Sequence, residues 1–186
     1  MRLPRFTKPY RLKDYNFTLV FLVLALSILG VLVVGSARDI YQGRQIIGVV
    51  IGLVAMAVVS LMDYEWILNF YWILYGIAVL SLALVLVIGQ EVNGATRWIN
   101  LGFTTFQPSE LAKILLILFF ARFIMRHEED LNDKWTLLKY AGLCGVPLAL
   151  IIVEPNLSTT ICTALVLCLI IYIGGLSYRF ILRVLL

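Results

Sequence analysis

Charged residues are scarce in this sequence. Its 186 residues are 14% charged and 62% hydrophobic, whereas an average soluble domain is about 25% charged. The short alternating segments of an outer-membrane barrel are also absent. The chain contains instead several uncharged apolar runs of about 20 residues, the length that crosses a bilayer as a helix. These features exclude a soluble globular protein and predict a membrane protein with several helical spans.

Cysteine and histidine are sparse as well. Cys144, Cys162 and Cys168 all lie within apolar segments, which excludes a disulfide scaffold and predicts free thiols. No two of them have the spacing of a zinc site, and His127 has no histidine or cysteine neighbour with which to share a metal. The sequence therefore predicts no metal ligands and no evident cofactor, and it leaves the use of a divalent cation open.

Comparing the apolar runs with a window of about 20 residues gives six candidate spans. They cover residues 17–37, 45–62, 66–88, 108–125, 135–153 and 157–174. The predicted fold class is all-α, a polytopic bundle of transmembrane helices. A basic segment over residues 1–15 precedes a membrane domain over residues 16–175. Residues 176–186 are apolar, broken by Arg179 and Arg183 and too short to span a bilayer, so we expect an unfinished helix of a longer chain.

The distribution of lysine and arginine predicts the orientation. With the amino terminus in the cytoplasm, most of these residues fall on the inner side, and the outer side holds only Arg38, Arg44, Arg97 and Lys113. Cytoplasmic loops of membrane proteins carry such an excess of positive charge. The net charge of +4 therefore indicates membrane orientation and not binding to nucleic acid.

The longest outer loop, residues 89–107, is polar and places Arg97 beside Trp98. A guanidinium binds phosphate oxygens in a bidentate manner, so this pair suits a pyrophosphate or an anionic lipid headgroup. A Trp98 anchored among lipid headgroups, with Arg97 beside ordinary phospholipids, explains the pair equally well.

A second polar motif, residues 107–113, opens the fourth span. Pro108 is tolerated in a first helical turn, and Glu110 complements the positive end of the helix dipole. Lys113 lies about 7–8 Å beyond Pro108 at 1.5 Å per residue, where a cation costs about 2.5–3.5 kcal/mol. Glu110 is three residues away on the same face, so we expect a buried ion pair that opens to an outer cavity. Snorkelling of Lys113 to the interface is the alternative.

A third polar stretch, residues 154–160, joins the fifth and sixth spans. Its simplest role is a helix break capped by Asn156 or Ser158. The predicted topology nevertheless brings polar side chains from distant segments to one side of the membrane, namely Arg97, Glu110, Lys113 and Glu154. An anionic substrate with a lipid tail could satisfy such a cluster.

Two strings of residues closely resemble the SEDS family of shape, elongation, division and sporulation proteins, of RodA, FtsW and SpoVE type. They are NGATRWINLG over residues 93–102 and FQPSELAK over residues 106–113. Their order, spacing and position between a third and a fourth span all agree with the family. Glu154-Pro155-Asn156-Leu157 falls where the family has a similar motif that contains proline. Members of the family have ten transmembrane helices, so the chain resembles the amino-terminal part of one.

The resemblance implies a peptidoglycan glycosyltransferase that polymerises lipid II, an undecaprenyl-pyrophosphate-linked disaccharide-pentapeptide, outside the bacterial cytoplasmic membrane. It also implies a class B penicillin-binding protein as partner, in addition to membrane lipids. By position, Arg97, Trp98, Glu110 and Lys113 match family residues implicated in function and are the predicted substrate-binding residues. A role in elongation, division or sporulation and the oligomeric state are left open.

The chain departs from the family pattern in two places. The family usually has Asp-Leu-Gly after the proline, where this chain has Asn156-Leu157-Ser158. The aspartate that the family implicates in catalysis lies in an outer loop after the seventh helix, beyond the six spans seen here. The catalytic residue is therefore unknown, with Glu110 and Glu154 as weak candidates, and we expect the chain alone to be inactive.

Two other functions are compatible with the sequence. A transporter or flippase of a lipid-linked precursor would use the same outer cations, but it needs access from both faces, and nothing polar lies deep on the inner side. A non-catalytic scaffold would bind a penicillin-binding protein through its exposed helix faces.

Overall fold

Seven helices and three short strands make up the described part of a computed structural model, which comprises residues 16–62, 64–92, 95–100, 102 and 105–177. The helices are α1 (Phe17–Ala37), α2 (Asp39–Leu61), α3 (Tyr64–Asn69), α4 (Tyr71–Ile88), α5 (Pro108–Arg126), α6 (Lys134–Val153) and α7 (Leu157–Ile173). The basic segment predicted over residues 1–15 and nearly all of the end predicted over residues 176–186 lie outside these ranges. The chain divides into two compact units, residues 1–63 and 64–186.

All six predicted spans coincide with helices, with two corrections. The second helix begins at Asp39 rather than at residue 45, because an apolar run measures the hydrocarbon thickness and polar residues can extend a helix beyond it. The third span is interrupted at Phe70, which separates α3 from α4. By length and composition, α1, α2, α4 and α6 can cross a membrane, whereas the apolar α7 is shorter. Because α5 carries Glu110 and Lys113 near its start and Arg122 and Arg126 near its end, hydropathy alone does not identify it as a span.

The first unit contains the helical hairpin of α1 and α2. The side chain of Asn16 caps α1 by accepting a hydrogen bond from the backbone N–H of Leu19 at 3.0 Å. The only buried residue on the two helices is Gly35, where a Cβ would collide with the side chain of Gln42. Both helices otherwise expose their large apolar side chains, as lipid-facing helices do.

The second unit is organised around α5, which packs against α4 and α7. Phe119 of α5 is fully buried, and its ring centroid lies 4.6 Å from that of Tyr75 and 5.1 Å from that of Trp72. Hydrogen bonds also join the helices, because Tyr75 donates to the carbonyl of Leu143 at 3.0 Å. Packing and such bonds hold helices together in lipid, where no hydrophobic driving force acts between them.

The loop predicted over residues 89–107 contains a small antiparallel sheet that the sequence did not predict. Its strands are β1 (Gln90–Val92), β2 (Ala95–Asn100) and β3 (Thr105–Phe106), in the order β1-β2-β3. Two of these strands, with three and two residues, are too short for an alternation to show in a sequence, and β2 has only six residues. The all-α prediction therefore holds for the helical bundle, and β2 packs against α4 and α5.

The helices of the second unit place three connections at one end. Tyr71 at the start of α4 stacks on Phe119 near the end of α5, so these two helices are antiparallel. Tyr140 in the first half of α6 donates to the carbonyl of Leu167 in the second half of α7 at 2.6 Å, so α6 and α7 are antiparallel as well. Phe120 in the second half of α5 also packs on Tyr140, with ring centroids 4.8 Å apart, so α5 and α6 are antiparallel. The sheet, the start of α5 and the turn of residues 154–156 therefore share one end of the unit, which we call the sheet end.

Candidate functional site

The sheet end holds all five residues that the sequence singled out for binding or catalysis. Arg97 and Trp98 lie on β2, Glu110 and Lys113 on the first turns of α5, and Glu154 follows α6. The structure therefore brings these residues from distant segments together at one end of the unit.

Lys113 and Glu110 form an ion pair on α5. The Nζ of Lys113 lies 2.8 Å from Oε1 of Glu110, and the side chains are 23% and 56% exposed, respectively. The predicted pairing is present, but the prediction that the pair is buried was wrong for Glu110. A carboxylate in the first turn of a helix projects toward the end of the helix, where it is easily solvated, whereas Lys113 starts almost one turn deeper.

The start of α5 is shaped by its local sequence. Pro108 occupies the first turn, Glu110 lies in the same turn, and both Pro108 and Ser109 are buried. The amide of Gln107 donates to the hydroxyl of Ser109 at 3.1 Å. This turn fixes the direction in which α5 leaves the sheet, and with it the position of Lys113.

Arg97 and Trp98 are both half-buried on β2. The Nε atom of Arg97 is buried and has no hydrogen-bond acceptor, which is costly for a guanidinium. The adjacency of Arg97 and Trp98 in the sequence suggested one joint surface. Successive side chains of a strand point to opposite faces, however, so the two residues do not form one. The unsatisfied atom of this pair is thus the buried Nε of Arg97.

Glu154 is fully buried at the end of α6, and neither of its carboxyl oxygens has a hydrogen-bond partner. Burial raises the pKa of Glu154 to about 7, and the positive charge of Arg97 opposes this rise. The two groups form no ion pair within 4 Å, but they are close enough for one charge to act on the other. Sequence reasoning missed this electrostatic interaction, since β2 and the end of α6 are brought together only by tertiary packing.

Asn156 completes the polar turn between α6 and α7. As predicted, it caps α7, accepting a hydrogen bond from the backbone N–H of Thr159 at 3.4 Å. Its side chain is 3% exposed, and its Nδ2 atom has no acceptor. The sheet end thus holds several buried polar atoms whose hydrogen-bonding capacity is unused.

Metal ligands are not grouped within the described ranges, where no cluster of three or more His, Cys, Asp or Glu residues is found. The three cysteines, all in this part of the chain, are free: Cys144 is buried, and Cys162 and Cys168 are exposed.

Comparison with known proteins identifies the family. The family model FTSW_RODA_SPOVE, described as "Cell cycle protein", matches residues 13–186. The chain is 32% identical over 172 residues to "Probable peptidoglycan glycosyltransferase FtsW" of Acinetobacter baylyi, covering 84% of this chain and 42% of that protein. It is 35% identical over 167 residues to "Peptidoglycan glycosyltransferase MrdB" of Escherichia coli, covering 88% of this chain and 45% of that protein.

Solved structures show the same relationship. The rod shape determining protein RodA of Thermus thermophilus matches with a TM-score of 0.78 and 32% identity, over 91% of this chain and 57% of that one. A second structure, "Structural coordination of polymerization and crosslinking by a peptidoglycan synthase complex", matches with a TM-score of 0.82 and 31% identity, over 92% of this chain and 51% of that one. The chain spans less than half the length of the two curated relatives. It belongs to the FtsW/RodA/SpoVE family and, with its apolar helices, is an integral inner-membrane protein.

Proposed function

We propose that the chain is the part of a SEDS peptidoglycan glycosyltransferase that holds the pyrophosphate of lipid II. The observation that carries this proposal is the concentration of cationic groups at the sheet end. Lys113 is three-quarters buried and is anchored by Glu110, and Arg97 has a buried nitrogen without an acceptor. A pyrophosphate supplies the acceptors that both groups need.

These residues suit the chemistry of glycan polymerisation. An acceptor hydroxyl attacks the anomeric carbon of a lipid-linked sugar, the bond to the pyrophosphate oxygen breaks, and negative charge develops on the leaving group. Fixed cations at that position stabilise the charge as it forms. Arg97 and Lys113 fit this role by their charge and place, and Trp98 offers an aromatic surface on the face of β2 opposite to Arg97.

A base is also needed to take the proton of the attacking hydroxyl. Of the two candidate carboxylates, Glu110 is more than half exposed, whereas Glu154 is fully buried. Glu110 is therefore the better placed candidate, although its pairing with Lys113 favours a binding role. We assign no catalytic base within this chain.

Orientation and partners follow from the same proposal. The lysine and arginine distribution favours a cytoplasmic amino terminus, which puts the sheet end on the outer side, where lipid II is polymerised. A class B penicillin-binding protein is the proposed partner. One structural neighbour supports this choice, because it is a peptidoglycan synthase complex in which polymerisation and crosslinking are coordinated.

Binding of lipid II to the purified protein in nanodiscs tests the proposal. Replacing Arg97 by alanine removes a charge-assisted contact, worth about 1.5–3 kcal/mol, so the affinity should fall by about 10- to 150-fold. Arg38→Ala is the matched control, because Arg38 lies in the turn between α1 and α2. This variant should bind lipid II with the affinity of the unchanged protein. Equal affinities for the Arg97 variant and the control would contradict the proposal. Movement of fluorescent lipid II across proteoliposomes without polymer would favour a transporter instead.

A further inference from the structure

We propose that Glu154 is a positioning residue for Arg97, whose carboxyl group controls how strongly the guanidinium holds a pyrophosphate by gaining or losing a proton. The inference rests on the proposed function of the sheet end, and it gives Glu154 a role distinct from that of a catalytic base. Glu154 is fully buried, so it acts on Arg97 and does not itself contact the substrate.

The geometry of the two groups supports this role. The buried Nε of Arg97 lacks an acceptor, and both carboxyl oxygens of Glu154 lack a donor. Arg97 is only half-buried, so it has one side toward the interior and another toward the surface of the sheet end. Both groups therefore have buried atoms with unused hydrogen-bonding capacity, and an interaction of the guanidinium with the carboxylate competes with a phosphate for the same donors.

Few other charged groups face Glu154. The positive charge of Arg97 on β2 acts on it. On the first turns of α5, Lys113 and Glu110 are paired with each other, and β1 carries Glu91. Neither α4 nor α7 carries a charged residue, and the lysines of α6 lie in its first two turns, at the opposite end. Among the side chains that the structure describes, Arg97 is therefore the charged partner of Glu154.

The protonation state of Glu154 changes near neutral pH. Burial raises its pKa to about 7, so the neutral form dominates below this pH and the carboxylate above it. The carboxylate engages Arg97 and repels an anion, whereas the neutral acid does neither. The affinity for a pyrophosphate should therefore fall as the pH rises through about 7, and by linkage a bound pyrophosphate should raise the pKa of Glu154.

Lipid II binding between pH 6 and pH 8 tests the inference. The diphosphate of lipid II is esterified at both ends and has no proton to exchange in this range, so a change in affinity reports on the protein. We expect the affinity of the unchanged protein to fall by up to about tenfold, the equivalent of one pKa unit. The isosteric variant Glu154→Gln should bind at pH 8 as tightly as the unchanged protein binds at pH 6, without pH dependence. Glu128→Gln, in the exposed loop after α5, should keep the full pH dependence.

Each outcome has a defined meaning. A flat profile for the unchanged protein, or the same slope in Glu154→Gln, overturns the role of Glu154 while leaving the proposed function intact. Wild-type affinity in Arg97→Ala at every pH overturns the proposed function itself. If Glu154→Gln does not fold, infrared spectra of the unchanged protein decide the question, because the absence of a carboxyl group that titrates between pH 6 and pH 8 contradicts the inference.

Discussion

Replacing Lys113 by methionine separates a binding role from a structural role. The variant loses the 2.8 Å ion pair with Glu110, and a pair with this helical spacing contributes only about 0.2–0.5 kcal/mol. Glu110 is 56% exposed, so water solvates its carboxylate once the lysine is gone. Removing the ammonium also relieves an insertion cost of up to about 2.5–3.5 kcal/mol. We therefore expect the stability of the variant to be unchanged or higher.

The effect of the same substitution on binding should be large. If Lys113 holds a phosphate oxygen, its loss costs about 1.5–3 kcal/mol, because hydrogen bonds to charged groups have this worth. The affinity for lipid II should thus fall by about 10- to 150-fold without a drop in melting temperature. Lys113→Arg, which keeps the charge, should retain most of the affinity.

Melting temperature and lipid II affinity, measured on the same preparations, check this prediction. Lys134→Met is the matched control, because Lys134 is an exposed lysine at the opposite end of the unit and its loss should change neither quantity. A lower melting temperature with wild-type affinity in Lys113→Met would refute the reasoning and identify Lys113 as a snorkelling lysine with a structural role.

Two predictions concern the packing of the second unit. Phe119→Ala should destabilise the protein by about 1–3 kcal/mol in an unfolding assay in detergent, because the usual cost of about 3–5 kcal/mol includes a transfer contribution of about 1.5–3 kcal/mol that is absent in lipid. The control Leu80→Ala changes a residue that is 69% exposed and should cost less than about 0.5 kcal/mol. Equal losses of stability in the two variants would contradict the packing. Gly174→Ala should lower stability by about 1–3 kcal/mol, because its Cβ would overlap the stiff side chain of Ile124, and Gly142→Ala, with open space around it, should not lower it.

The helices were predictable because the bilayer sets their length. The boundaries of α1 agree with the predicted span at both ends, since its apolar run and its helix have the same limits. The start of α2 was missed because the stretch from Asp39 to Arg44 is largely polar and continues the helix beyond the apolar run. Hydropathy reports where the chain meets hydrocarbon, and hydrogen bonds of the backbone decide where a helix begins.

The candidate site was predictable only where its contacts are local. The ion pair between Glu110 and Lys113 follows from the spacing of three residues along one helix, and the cap at Asn156 follows from its place before α7. The exposure of Glu110 and the proximity of Arg97 to Glu154 depend on how the sheet folds over the bundle. No periodicity in the sequence carries that information, because strands of two to six residues give too weak a signal.

The distribution of unsatisfied polar atoms argues that the sheet end is a site and not merely a loop region. Within the described ranges, the buried side-chain atoms that lack a partner belong to Arg97, Glu154, Asn156 and Arg122, and the first three are at the sheet end. Each such atom lowers the stability of the fold, and apolar residues of similar size would avoid that cost. A group that supplies an acceptor to the buried Nε of Arg97 removes that penalty when it binds, and a phosphate-bearing lipid is such a group. Under the proposed function, Arg97 therefore both lowers the stability of the fold, through its buried Nε, and contributes affinity for an anionic substrate.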